Sequence, residues 1–90
     1  MDIRRLKLIY MTTTGPASYS AGGFNVTVAE VRNINSVVNV MGINTGYMPV
    51  VASTSGNVVT VKVFDTTTGE EVANATNLSS ITFALIVAGF

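Results

Sequence analysis

The stretch NVVTVKVFD, Asn57 to Asp65, decides the fold class. Val59, Val61 and Val63 alternate there with Val58, Thr60 and Lys62. A period of two places the three valines on one face of an extended strand. Branching at Cβ suits a pleated surface and costs rotamer freedom in a helix. Just upstream, Ser55-Gly56 is a tight-turn signal, and TGYMPVVAS (45–53) before it reads as a second strand. The two make the clearest hairpin in the chain. Pro49 has no amide to donate, so its strand is expected at a sheet edge or at a bulge.

The same reading extends outward. RLKLIYM (Arg5 to Met11) places Leu6, Leu8 and Tyr10 on one face, with Arg5 and Lys7 opposite. FNVTV sets Phe24, Val26 and Val28 inward against Asn25 and Thr27 outward. AEVRNIN (29–35) has the only helix-like composition and is long enough for a turn or two. SVVNVMG (Ser36 to Gly42) and ITFALIVAGF (Ile81 to Phe90) complete the strands. TTTGPASYSAGG (12–23) and TTTGEEVANATNLSS (66–80) read as polar loops. Val, Ile and Thr supply 32 of 90 residues, which fixes the class as all-β. The expectation is a compact antiparallel β-sandwich or partly closed barrel of about six to eight short strands. Residues 1–14 form an N-terminal arm and first strand, and 15–90 the body of a single domain. Val59, Val61, Val63, Phe83 and Leu85 are its expected core.

Composition narrows the function. The chain has no Cys and no His, which removes thiolate metal sites, disulfides and the commonest general base. Five basic residues balance five acidic ones, so there is no cationic footprint for nucleic acid or for an anionic membrane. A 48% apolar and 11% charged composition favours a surface covered by neighbours. No cofactor is expected, and an enzyme is not expected either, since only Lys7 or Lys62 could activate a Ser or Thr. The apolar stretch of MDIRRLKLIYM is far short of a signal peptide's, so synthesis in the cytoplasm is expected. Asp65, Glu70 and Glu71 match no calcium-loop spacing and read as a solvated turn. Asn25, Asn74 and Asn77 open glycosylation-type triplets, a frequency that this Asn-, Ser- and Thr-rich composition produces by chance.

Two features point to partners. Along ITFALIVAGF, Phe83, Leu85 and Val87 face one way, yet Ala84, Ile86 and Ala88 on the other side are apolar too. A half-exposed strand should alternate with polar residues. Ala84, Ile86, Ala88 and Phe90 are therefore expected at a self-association contact, with small outer residues tolerated at a surface as the alternative. Arg4, Arg5 and Lys7 read either as a charged strand edge that blunts pairing or as an arm that docks on an acidic partner.

The order of motifs GPASYSAGGFNVTV (15–28), TGYMPVVASTSGNVVTVKVF (45–64) and ATNLSSITFALIVAGF (75–90) resembles small virion proteins of tailed phages and related prokaryotic viruses. In these a Ser/Tyr/Gly-Gly loop precedes the first inner strand, and a [GA]T[DN]LS turn launches the terminal strand. Asn77 stands in that turn here, keeping a side-chain acceptor without the charge of Asp. The resemblance implies a capsid decoration or cement protein on the outer surface of the virion, a homotrimer, with the major capsid protein as partner. The competing expectation is a carbohydrate- or receptor-binding module of a viral fibre or spike, for which only Tyr10, Tyr19 and Tyr47 offer aromatic platforms.

Overall fold

The computed structural model describes residues 6–90, which form six strands and no helix. They are β1 (Lys7–Thr14), β2 (Phe24–Thr27), β3 (Ile34–Gly42), β4 (Tyr47–Ser55), β5 (Val58–Asp65) and β6 (Thr82–Gly89). Two antiparallel sheets of three strands, ordered β1-β6-β3 and β2-β5-β4, make a sandwich of 43 × 20 × 20 Å. The sheets do not join into a closed barrel. Of the helix-like stretch 29–35, residues 29–33 form turns and 34–35 open β3. Seven residues are below the length at which helical hydrogen bonds offset nucleation, so tertiary pairing decides.

The alternation in β5 and β6 settles the core. Val59, Val61, Val63, Phe83, Leu85 and Val87 are all fully buried between the sheets. Each such side chain contributes roughly 1.5–3 kcal/mol on leaving water. Val26, Val28 and Val31 join Val59, Val61, Leu85 and Val87 in one cluster, while Tyr19, Val63, Val72, Leu78 and Phe83 make a second. Phe24 and Phe83 meet across the sandwich with ring centroids 5.7 Å apart.

Pro49 sits on β4, an edge strand, and β4 also carries a bulge between Val51 and Ser53. The hairpin turn falls on Gly56-Asn57, one residue beyond the Ser55-Gly56 signal. Gly56 adopts φ +59° there, which matches a twisted two-residue hairpin with Gly first. Gly23 is fixed by space as well as by its φ of +115°: a Cβ would lie 2.6 Å from the Val61 carbonyl oxygen. β3 shows why INSVVNVMG (34–42) lacks clean alternation. Bulges between Ile34 and Ser36 and between Val37 and Asn39 each insert a residue, so Ile34, Val37 and Val40 turn inward at a spacing of three.

In β1 the face that carries Leu8 and Tyr10 is the outer one. Ile9 lies opposite Val87 and Met11 opposite Leu85, so these two pack on the core, while Leu8 and Tyr10 face water at 70% and 62% exposure. KLIYM is apolar at both parities, so alternation alone does not choose a face. The structure half-buries the two side chains that carry no hydrogen-bonding group, Ile9 and Met11, and leaves the tyrosine, with its polar hydroxyl, outside.

Replacing Val61 with Asp should abolish the native far-UV spectrum and the melting transition, because an unpaired buried charge costs several kcal/mol. Ala75 is the one described non-glycine residue with positive φ, +69°. Ala75→Gly should raise stability by about 1 kcal/mol, measured by urea unfolding, since relief of the left-handed strain exceeds the added chain entropy.

Candidate functional site

Two regions carry the side chains from which a function must be built. The first lies at the end of the sandwich where the long loops meet. Tyr19 is 1% exposed, and its hydroxyl donates to Glu71 Oε2 at 2.6 Å while accepting the Val63 N–H at 3.1 Å. The Gly22 N–H donates to the same carboxylate oxygen at 2.8 Å. Backbone bonds lace the two loops together: Tyr19 N–H to Thr76 O, Ala75 N–H to Tyr19 O, and Leu78 N–H to Pro16 O. Burial and the Glu71 partner raise the Tyr19 pKa above its ordinary value. The Tyr19 hydroxyl and the Gly22 amide hold the Glu71 carboxyl below the usual range.

Beside this network lies a cleft of about 280 Å³ lined by Tyr47, Asp65, Glu70, Glu71 and Thr76 among others. Its acids do not converge. Asp65 Oδ1 accepts the Thr67 N–H at 2.8 Å in a local turn, and Glu71 is turned toward Tyr19. Among the described residues, no three His, Cys, Asp or Glu side chains are placed to hold a metal ion. The triplet asparagines also have structural duties. Asn25 accepts the Thr60 hydroxyl, Asn74 accepts the Ala21 N–H, and Asn77 accepts both the amide and the hydroxyl of Ser79. The Asn77 bonds are the local turn expected of a side-chain acceptor at that position.

The second region is the outer face of the β1-β6-β3 sheet. Cross-strand rows run Leu8–Ala88–Ser36, Tyr10–Ile86–Asn39 and Thr12–Ala84–Met41. The exposed Val38, at 59%, projects from the second β3 bulge. No charged side chain interrupts these rows. Ala84 and Ala88 are buried within the chain, their small side chains set between larger neighbours on either side. Ile86 is half-buried in the same face. Phe90, also half-buried, extends the ladder by exchanging backbone bonds with Asn33. Of the expected self-association residues, Ile86 is thus the one presented to the outside in the middle of the sheet. The outer face of the other sheet resembles it, with Met48 beside Phe64 and Val50 beside Lys62.

Lys7 is exposed at one end of β1, and its Nζ donates to the Glu30 carbonyl oxygen at 3.3 Å. Arg4 and Arg5 lie outside the described residues. Sequence reasoning missed the role of Tyr19, which is no aromatic platform but a buried strut. The signal was present in SYSAGG (18–23): one aromatic among small residues in a loop is what a core needs when it closes over a sandwich end. Comparison with protein-family models, curated proteins and solved structures returned no match.

Tyr19→Phe should destabilise the fold by about 1–3 kcal/mol, because the buried Val63 amide loses its acceptor. The linkage also has a sign. A depressed Glu71 pKa adds stability above the unfolded carboxyl pKa, and this is lost as pH falls through the folded value. Melting temperatures from neutral pH to pH 3 should therefore fall more steeply for wild type than for Tyr19→Phe. A raised Tyr19 pKa acts in the opposite direction, its contribution being lost as pH rises past about 10.

Proposed function

We propose that this chain is a non-enzymatic structural protein of a virion, a decoration or cement protein that binds the assembled shell and itself and so stabilises the particle. The observation that carries the reading is the distribution of charge against apolar surface. Both broad faces of the sandwich present apolar side chains (Leu8, Tyr10, Val38 and Ile86 on one, Met48, Val50 and Phe64 on the other) with Lys62 as the charged exception. Asp65, Glu70 and Glu71 gather at the loop end, and Lys7, Glu30 and Arg32 at the other. Surfaces of this kind are suited to burial between neighbours rather than to turnover of a soluble substrate. The resemblance of its motif order to that of small virion proteins suggests the setting. Binding only the assembled shell stabilises it by mass action, and repetition at equivalent sites multiplies modest affinities. Arg4, Arg5 and Lys7 are assigned to docking on acidic capsid surface, and the outer face around Ile86 to self-association.

A second reading, glycan binding by a fibre or spike module, draws on the cleft beside Tyr47, where an aromatic ring stands next to carboxylate acceptors. Co-sedimentation with assembled shells of the same virus's major capsid protein separates the two. Wild type should pellet with assembled shells, not with free subunits, and raise the temperature at which they disassemble. Reversal of Arg4, Arg5 and Lys7 to Glu should lower occupancy at unchanged melting temperature. No pelleting, together with selective signal on a glycan array, would replace the first reading with the second.

A further inference from the structure

Four strands border the two sheets, and three of them are defended against pairing with another chain. β3 carries two bulges, β4 carries Pro49 and a bulge, and β2 is only four residues long. These are the usual devices by which an edge avoids association. β1 has none of them. Its eight residues run opposite β6 from Lys7–Gly89 to Thr14–Thr82 without a register shift, and KLIYMTTT holds no proline and one charge, at its end. We propose that β1 is a self-pairing edge: two copies of this chain join β1 to β1 antiparallel about a two-fold axis, giving one continuous six-stranded sheet.

The backbone sets the register. The Gly15 N–H donates to Ile81 O, so odd residues of β1 bond to β6. Antiparallel ladders alternate, and the amides and carbonyls of Leu8, Tyr10, Thr12 and Thr14 therefore point away from the sheet. Among the described residues no segment pairs with them. A two-fold through Met11 sets Tyr10 opposite Thr12 of the second copy and Leu8 opposite Thr14, so all four residues are paired in both chains. The exposed Leu8 and Tyr10 then extend the uncharged outer face across the junction, and the half-buried Ile9 and Met11 are covered from the open side. Charge selects the direction. Parallel alignment would set Lys7 against Lys7, with Arg4 and Arg5 just upstream in sequence, whereas the antiparallel pair holds these groups at opposite ends. The contact is isologous and closes at two copies. It does not depend on the virion reading, and the trimer that the resemblance implies would need a different contact.

Light scattering coupled to gel filtration, run over a dilution series, should give twice the chain mass for wild type. Thr12→Pro and Thr12→Lys should both give the single-chain mass with an unchanged far-UV spectrum, since proline is tolerated where the amide faces solvent. Met11→Cys supplies a second test that does not rely on edge disruption. The chain has no other cysteine, and Met11 of the two copies would face each other at a separation a disulfide can span. Non-reducing gels should show rapid cross-linking of Met11→Cys and little of Val38→Cys. A monomeric or trimeric wild type, a dimer that survives both Thr12 substitutions, or equal cross-linking of the two cysteine variants would overturn the proposal.

Discussion

Everything in the β1-β6-β3 sheet hangs on β6. Neither β1 nor β3 pairs with the other, and both obtain their ladders from this one strand. A strand with a neighbour on each side and a sheet beneath it must be apolar on its inner face, and its outer one must fit beneath the side chains of both neighbours. Phe83, Leu85 and Val87 meet the first requirement. Ala84 and Ala88 meet the second, because they leave room for the side chains of β1 and β3 to close over them. The strand lies at the far end of the sequence from β1, so its pairing with β1 joins residues 68 to 82 positions apart, and its pairing with β3 joins residues 41 to 55 apart. Such pairings carry high loop-closure entropy and are formed slowly.

The loop end of the sandwich solves a different problem. Residues 15–23 and 66–81 are polar in composition yet must cover Val63 and Phe83. They do so with three inserted side chains, Tyr19, Val72 and Leu78, and a set of reciprocal backbone bonds that continue the sheet's pattern without forming strands. Tyr19 is the member that binds the layers, since its hydroxyl satisfies the Val63 amide in β5 and grips Glu71 in the other loop. A buried hydroxyl with both a donor and an acceptor partner costs little, whereas the same group with one partner missing is expensive.

How much of this was legible from sequence follows from how degenerate each local pattern is. Val59, Val61 and Val63 stand against Thr60 and Lys62, so their face admitted one answer. Pro49 could sit only at an edge or bulge, and it sits on an edge strand, two residues before that strand's bulge begins. β1 offered apolar residues at both parities, and its face was decided by the partner strand, which local pattern does not contain. In β3 two bulges converted a period of two into a period of three, hiding the inward set Ile34, Val37 and Val40 among asparagines. The buried loop residues Tyr19, Val72 and Leu78 were hidden by the polar company they keep.

The surplus of apolar residues in ITFALIVAGF therefore has two causes rather than one. Half of it is internal: Ala84 and Ala88 are buried within the single chain, and their packing between β1 and β3 already accounts for their apolar character. The other half is displaced sideways. The groups left facing water are Leu8 and Tyr10 on β1 and Val38 on the β3 bulge, with Ile86 only partly covered between them. A strand apolar on both faces thus makes its neighbours, rather than itself, carry the exposed surface. Association through this outer face would therefore draw on the flanking strands, with Ile86 as the contribution of β6 itself.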